Sequence, residues 1–479
     1  MARSPAPCGD GFAIIMPLIG GSSVAGKQFS LSPKKVPKVE TKYRRIVTDI
    51  PAPKSIPILK SLRKYEPMSM TGQPPVVWDR AEGCQVYDPW GNMWLDWSSG
   101  VLVTNAGHAN KQVVKAIVEQ AQKPMLHNYC FPSELRAKLA QKLVEITPAA
   151  LKKAFILTTG SETTECAIKL MRTYGQSVGG KKKIGIVSFE NAFHGRTMGS
   201  QQIGGTPALK EWIVNLDKDM HQVPFPDEYL TEEHDFDDFL AALKKQNVGP
   251  DQVAGIIMET FQGGRAAFAP TQYIKDMCSW AKDNDIVVTM DEVQACFGRS
   301  GKAFAFEHYG ITPDLLCLGK GITSSLPLSA IVGRTELMDQ YPPGSMTSTH
   351  TANPICAAAA LANIDYIWKR KLWEKAADTG DNTLLPELHK LKEKYPSQIG
   401  HVYGRGLVAA VHMVDMNGEP DYDTAFEVVK GCMEKGLLMF SPVGQSSIKI
   451  APPLVISKTQ VKEGCKVLDE TMGEVLGTA

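Results

Sequence analysis

The sequence predicts an α/β protein: a large, mostly parallel sheet covered by helices, with a smaller α+β domain beside it. Three observations lead there. From about residue 110 to 335, stretches of helical periodicity alternate with short apolar runs. Several of those runs are β-rich and continuous rather than alternating, as strands buried on both faces are. The chain has 479 residues, too many for one ordinary domain, so a second, smaller unit is expected.

Taken in order, residues 1–40 are rich in Gly, Ser, Pro and Lys and read as a flexible tail. Phe12 to Ile19 is apolar but short, is broken by Pro17, and follows Asp10 where a secretory signal would carry positive charge. No run approaches the length of a membrane span. Residues 41–110 form an N-terminal arm and hairpin that belong with the small domain. Several prolines and short helices mark 41–75, and Gln85–Asp88 and Met93–Asp96 flank a turn at Pro89–Asn92. The large domain spans 111–365. Its helices are expected near 111–123, 133–146, 162–176, 236–245 and 271–284. Its strands are expected at Ala154–Leu157, Ile184–Phe189, Val253–Met258, Ile286–Met290, Leu315–Leu318 and Leu328–Val332. Residues 366–479 form the C-terminal small domain.

The formal net charge of +1 argues against nucleic acid or a membrane surface as the main partner. The 10 cysteines include no C-x-x-C pair and are widely spaced, so neither a zinc site nor a disulfide framework is expected. Reduced thiols in the cytoplasm are the simplest reading, and no metal is expected.

In open α/β sheets ligands bind beyond the carboxyl ends of the strands. After Ala154–Leu157 comes Thr158-Thr159-Gly160-Ser161-Glu162, a small-residue turn into a helix. Free N–H groups and the helix dipole there suit a phosphate, although a plain N-cap reads the same way. After Ile286–Met290 comes Asp291, a carboxylate suited to a fixed cation such as a protonated pyridine nitrogen, or to backbone donors. After Leu315–Leu318 comes Gly319-Lys320-Gly321. A lysine there is either solvated or placed to form an imine with an aldehyde. Phosphate turn, carboxylate and lysine, each at a strand end, are together what pyridoxal phosphate needs.

At these residues the chain resembles the class III (ω-amino-acid) aminotransferases, fold type I pyridoxal-phosphate enzymes, from about Val86 to Leu454. The densest likeness runs Met290-Asp291-Glu292-Val293-Gln294-Ala295-Cys296-Phe297-Gly298-Arg299-Ser300-Gly301-Lys302, then Phe306 to Ile311 and Pro313-Asp314 before Lys320. Gly160-Ser161-Glu162 with Glu165, Ala167 and Lys169 resembles the family's phosphate-binding helix start. Phe193-His194-Gly195-Arg196-Thr197 resembles its aromatic turn over the cofactor. Ser348-Thr349 with Asn353-Pro354 resembles the segment that reaches a neighbouring subunit's phosphate.

The resemblance implies roles. Lys320 holds pyridoxal 5'-phosphate as an imine and moves the proton, and Asp291 pairs with the pyridine N–H. Phe193, beside His194, stacks on one ring face and Val293 packs on the other. Gln294 lies near the ring hydroxyl. Gly160 and Ser161 hold the phosphate, joined by the partner's Thr349, so a homodimer with shared active sites follows. Glu259 belongs to the site's hydrogen-bond network. Within the class, Phe193 to Gly199 looks most like the 4-aminobutyrate aminotransferases, in which the arginine matching Arg196 grips the substrate's distal carboxylate. Alternatively Arg196 only braces the turn.

Some positions depart from the pattern. Gly264 stands where 4-aminobutyrate enzymes have a gating Glu. Lys449, before Ala451-Pro452-Pro453-Leu454, stands where an Arg grips the acceptor's carboxylate, and Ser441 is not the Arg of the pyruvate-using branch. Tyr403 also replaces a common Arg. Lys and Arg are not interchangeable at a two-pronged site, so Lys449 or Arg265 takes over, or the acid is an unusual one. The expected function is transfer of an amino group from an ω-amino acid or related amine to a 2-oxo acid. A mutase, epimerase or decarboxylase of the same fold is the alternative. A remote one is nucleotide binding at Gly21–Lys27, which matches a Walker A loop except for Gln28 in the Ser/Thr position.

Overall fold

The structure is a computed structural model and describes residues 27–227, 229, 234–442 and 446–477. Phe12–Ile19, and the nucleotide-loop candidate Gly21–Lys27 up to residue 26, lie outside the described residues. Residues 27–40, grouped with a tail on composition, are mostly exposed but are seated on the fold at a few points. Phe29 is buried with its ring 4.7 Å from that of Phe426, and Val39–Glu40 pairs antiparallel with Arg45–Ile46. A few apolar side chains in a polar stretch suffice to seat a chain on an existing core, and composition averages hide them.

The expected hairpin forms: Gln85–Tyr87 pairs antiparallel with Met93–Asp96. Leu437–Leu438 joins the same sheet, parallel to Met93–Asp96. The first hundred residues and the C-terminal part are therefore tied by backbone hydrogen bonds.

The central sheet has seven strands: β1 (Lys153–Leu157), β2 (Gly185–Phe189), β3 (Met220–Val223), β4 (Val253–Glu259), β5 (Val287–Asp291), β6 (Leu315–Leu318) and β7 (Ser329–Gly333). Their order is β1-β7-β6-β5-β4-β2-β3. Only β7 runs against the rest. Every residue of β2, β4, β5, β6 and β7 is buried, which is why their sequences are continuous apolar runs. Strand β3 was not foreseen. It lies at the sheet edge, and His221 and Gln222 are only half-buried, so its pattern is too polar to stand out.

The covering helices start where caps permit. Asn110 accepts from the N–H groups of Gln112 and Val113 to start α1 (Lys111–Ala121). Ser133 accepts from Arg136 N–H to start α2 (Glu134–Glu145). Thr159 and Glu162 cap α3 (Gly160–Gly179) reciprocally. A long helix, α4 (Pro354–Arg370), packs on α1 and α2 and runs straight through the boundary expected at 365/366.

A separate three-stranded antiparallel sheet holds Ile399–Arg405, Val408–Met413 and Ser447–Ile450. Its register aligns Tyr403, Ala410 and Lys449 in one row and His401, His412 and Ser447 in the next. Alternation along a strand places both rows on one face. Among the described residues no helix is long and apolar enough to cross a membrane.

Candidate active site

Because β1, β2, β4, β5 and β6 run the same way, their carboxyl ends meet at one edge. A cavity of about 400 Å³ opens there. Gly160 and Ser161 follow β1, Phe193 and His194 follow β2, and Glu259 ends β4. Asp291 ends β5, with Val293 and Gln294 after it, and Lys320 follows β6. All nine line that cavity. Register brings the acids side by side, with Asp291 opposite Glu259 on one strand and Cys317 on the other.

Asp291 is held from behind. Its Oδ2 accepts from His194 Nδ1 at 2.8 Å and its Oδ1 from Val293 N–H at 3.0 Å. A carboxylate can only accept, so the imidazole proton sits on Nδ1. The His194 side chain is fully buried, and its Nε2 has no hydrogen-bond partner among the described residues. Glu259 takes the N–H groups of Phe193 (2.9 Å) and Gly263 (3.0 Å). Burial lifts its carboxyl to about 7, His194 working against the rise and Asp291 adding to it. Lys320 has a left-handed backbone, φ +40°, a conformation that costs a non-glycine residue about 1–2 kcal/mol and clusters at working sites. Burial lowers its ammonium, with Asp291 and Glu259 opposing.

Close packing shapes the cradle. A Cβ on Gly160 would lie 2.8 Å from Val293 Cγ1, so only glycine lets the phosphate turn rest on Val293. Gly195 has φ +136°, and a Cβ there would strike Ser161 Oγ. Ser161 Oγ accepts from Arg196 N–H at 3.2 Å, joining the two turns. The helix dipole and first-turn N–H groups of α3, a carboxylate backed by His194, and a half-buried lysine at the cavity wall form a donor set that fits pyridoxal phosphate.

Three comparisons agree with this geometry. The family model for class III aminotransferases matches residues 68–472. The chain belongs to that family. Over 413 residues it is 33% identical to a leucine/methionine racemase of Thermococcus litoralis, covering 84% of this chain and 91% of that one. It is 33% identical to an acetylornithine aminotransferase of Methanocaldococcus jannaschii (86% and 97% covered). It is 31% identical to a 4-aminobutyrate aminotransferase of Mycobacterium leprae (90% and 98% covered). Among solved structures, a transaminase from the marine bacterium Virgibacillus superposes with a TM-score of 0.80 at 26% identity, over 88% of this chain and 99% of that one. The fold is that of fold type I enzymes, and the class III family depends on pyridoxal phosphate.

The remaining site candidates of this aminotransferase lie elsewhere. Arg196 is exposed, its guanidinium carbon 5.4 Å from the Phe193 ring centre. Lys449 is buried, with Nζ 3.4 Å from Gln294 Oε1 and 5.1 Å from the centre of the Phe440 ring. Gln294 in turn donates to Glu259 Oε1 at 3.4 Å, so a polar chain links Lys449 to the cavity wall. Burial, reinforced by the charge of Lys320, pushes Lys449 down to about 7, Glu259 opposing. Arg265, the other acceptor candidate, pairs with the buried Asp227 (Nη1 to Oδ2, 3.4 Å), which also accepts from the Tyr403 hydroxyl. That separates the two candidates, because Arg265 is already engaged by Asp227 and Lys449 reaches Gln294 in the cavity wall. Thr349 is exposed and lines a neighbouring crevice, not the cavity; Thr158 borders both. Val103 and the segment Ser325–Leu328 also line the cavity. Apart from the Ser325 hydroxyl they are apolar, so no chemical signal in the sequence singles them out.

Proposed function

We propose that this class III aminotransferase moves an amino group from an ω-amino acid or related amine to a 2-oxo acid. The observation that carries the reading is a half-buried, left-handed Lys320 sharing one cavity with Asp291, Glu259 and the α3 turn. Bound pyridoxal phosphate supplies a ring that withdraws electrons from the substrate carbon. Lys320 would anchor it and would hold or move the proton at that carbon. Asp291 holds a proton at the pyridine nitrogen, and His194 orients Asp291. Gly160 and Ser161 would hold its phosphate, Phe193 and Val293 would bracket its ring, and Gln294 would serve its hydroxyl. A screen of single amines, followed through the cofactor's absorption, tests the donor class.

Arg196 is proposed to grip the donor's distal acid. Arg196→Lys keeps the charge but loses the two-pronged match. Acidic donors are expected to lose about 1.5–3 kcal/mol of binding, or about one to two powers of ten, while acid-free amines change little. Equal losses for both would make Arg196 a structural brace.

Lys449 is proposed to bind the acceptor's carboxylate. It is charged below its midpoint, so acid binding is fully present at low pH and fades as pH rises through that midpoint. That midpoint lies at about 7, where burial and the charge of Lys320 lower it and Glu259 opposes. KM for a 2-oxo acid should climb across this range, and Lys449→Met should flatten the climb.

The partner's Thr349 is proposed to complete the phosphate site in a homodimer. Its place outside the chain's own cavity, on the crevice lined by Met346 to His350, supports a subunit covering that face. Dilution to monomer is expected to release cofactor, and Thr349→Ala to weaken its binding roughly tenfold. A monomer that stays fully loaded would exclude the shared site.

The racemase relative favours a second reading, in which the α-proton of an amino acid is exchanged without net transfer. Solvent deuterium entering an amino acid, with inversion and no acceptor required, would establish it.

A further inference from the structure

Between the hairpin strand Met93–Asp96 and α1, the backbone takes three left-handed turns in four residues: Ser99 (φ 52°), Gly100 (φ 69°) and Leu102 (φ 58°). The next residue, Val103, is a wall of the cofactor cavity. Two buried charges pin this segment from opposite sides. Asp96 accepts from Ser98 N–H (2.7 Å), Ser98 Oγ (2.7 Å) and Gly100 N–H (3.1 Å), and from His108 Nε2 at 2.7 Å. Burial alone would raise its carboxyl, but His108 and Ser98 hold it below the usual range.

From the other side comes Arg299, fully buried. Its Nη2 donates to Ser99 Oγ (3.1 Å) and Asn105 Oδ1 (2.9 Å). Its Nη1 donates to the carbonyls of Leu407 (2.8 Å) and Pro452 (2.5 Å). Leu407 precedes the strand Val408–Met413, and Pro452 follows the strand that carries Lys449. Ser99 Oγ also donates to Ala451 O at 2.6 Å. One guanidinium therefore ties the strained segment to the end of the three-stranded sheet. Burial pushes Arg299 down to about 9, with Asp96 opposing, so it stays charged at neutral pH. A buried guanidinium held by carbonyls and hydroxyls, without a carboxylate in contact, is an expensive way to stabilise a fold.

We infer that Arg299 and Asp96 are positioning residues for substrate, which together set the Val103 wall and the strand end that places Lys449. The inference rests on the proposed substrate-side role of Lys449, and the variants below separate the two. Ser99→Ala removes one link of the clamp, and Arg299→Lys keeps the charge but cannot reach all four acceptors. Both are expected to hold pyridoxal phosphate with an unchanged absorption band. In half-reactions with 4-aminobutyrate, butylamine and 2-oxoglutarate, the half-saturating concentration should rise about threefold for Ser99→Ala and about tenfold for Arg299→Lys, while the limiting rate changes less than about threefold. If Arg299→Lys does not fold, Ser99→Ala decides alone. Unchanged half-saturation with only a lower melting temperature would make the clamp purely structural. Loss of cofactor in both variants would assign it to the cofactor cradle, and either result overturns the inference. Lys449→Met in the same assays should penalise only 2-oxoglutarate, the acceptor. If it does not, the acid-binding role of Lys449 falls while the clamp is still judged by its own two variants.

Discussion

Lys320→Ala is expected to end turnover while the protein still takes up pyridoxal phosphate non-covalently. The lysine is given two tasks, covalent anchor and proton carrier, and no other amine lines the cavity among the described residues. General acid–base catalysis alone is worth about 10²–10⁴ in rate, so loss of both tasks should cost roughly 10⁴ or more. Alanine inherits the left-handed backbone at φ +40° and relieves none of its strain, so the fold should be unaffected beyond the lost side chain. Rapid-mixing spectra should show substrate amines binding to the loaded variant without the later proton-transfer phase. A small added amine should restore part of that phase. Lys449 is close enough to repel Lys320, which makes it the one candidate substitute. Turnover that persists in Lys320→Ala and disappears in the double variant with Lys449→Met would move the assignment to Lys449.

Asp291 carries the second large effect. Without its charge a proton is no longer held at the pyridine nitrogen, and the chemical step should slow by about 10²–10³, the scale seen when one preorganised electrostatic group is removed. Two substitutions separate charge from packing. Asp291→Ala also strands the His194 Nδ1–H and Val293 N–H donors that Asp291 satisfies. Each buried orphan costs about 1–3 kcal/mol, so this variant should also lose stability. Asp291→Asn keeps an acceptor for Val293 but turns an amide NH2 toward His194 Nδ1–H, so it should lose rate with a smaller loss of stability than Asp291→Ala. Asp291→Glu should be milder than either. Single-turnover rates and thermal melts, read together, check the pattern. Normal transamination by Asp291→Ala would remove the paired-nitrogen role.

Much of this molecule was legible because its signals are local. Strands β2, β4, β5, β6 and β7 are buried on both faces, so their residues are apolar without interruption, and the end of each run marks a place where a ligand can sit. Thr159-Gly160-Ser161-Glu162 marks a helix start through its own capping chemistry. Asp291 and Lys320 are visible as charges directly after buried strands, and the run from Met290 to Lys302 carries the family likeness. Where signals were weak, boundaries slipped. Strand β3 is too polar, residues 27–40 are too sparsely apolar, and α4 gives no sign in its sequence that a domain boundary should fall within it.

The sequence by itself determined the fold class, the family and which strand ends carry reactive groups, because each depends on residues adjacent in the chain. Tertiary structure alone decided the state of those groups. Glu259 and Lys449 are displaced toward neutrality by burial and by neighbours from other strands, which no spacing encodes. Arg265 and Lys449 look equally available in the sequence; Asp227, 38 residues earlier, engages the first, and the fold brings the second to 3.4 Å from Gln294. Arg299 reads as one more residue of a family motif until its four acceptors, drawn from three distant segments, are assembled around it. The physical reason is the same each time: hydrogen-bond capacity and dielectric are properties of a place in space, and the chain reaches that place only by folding.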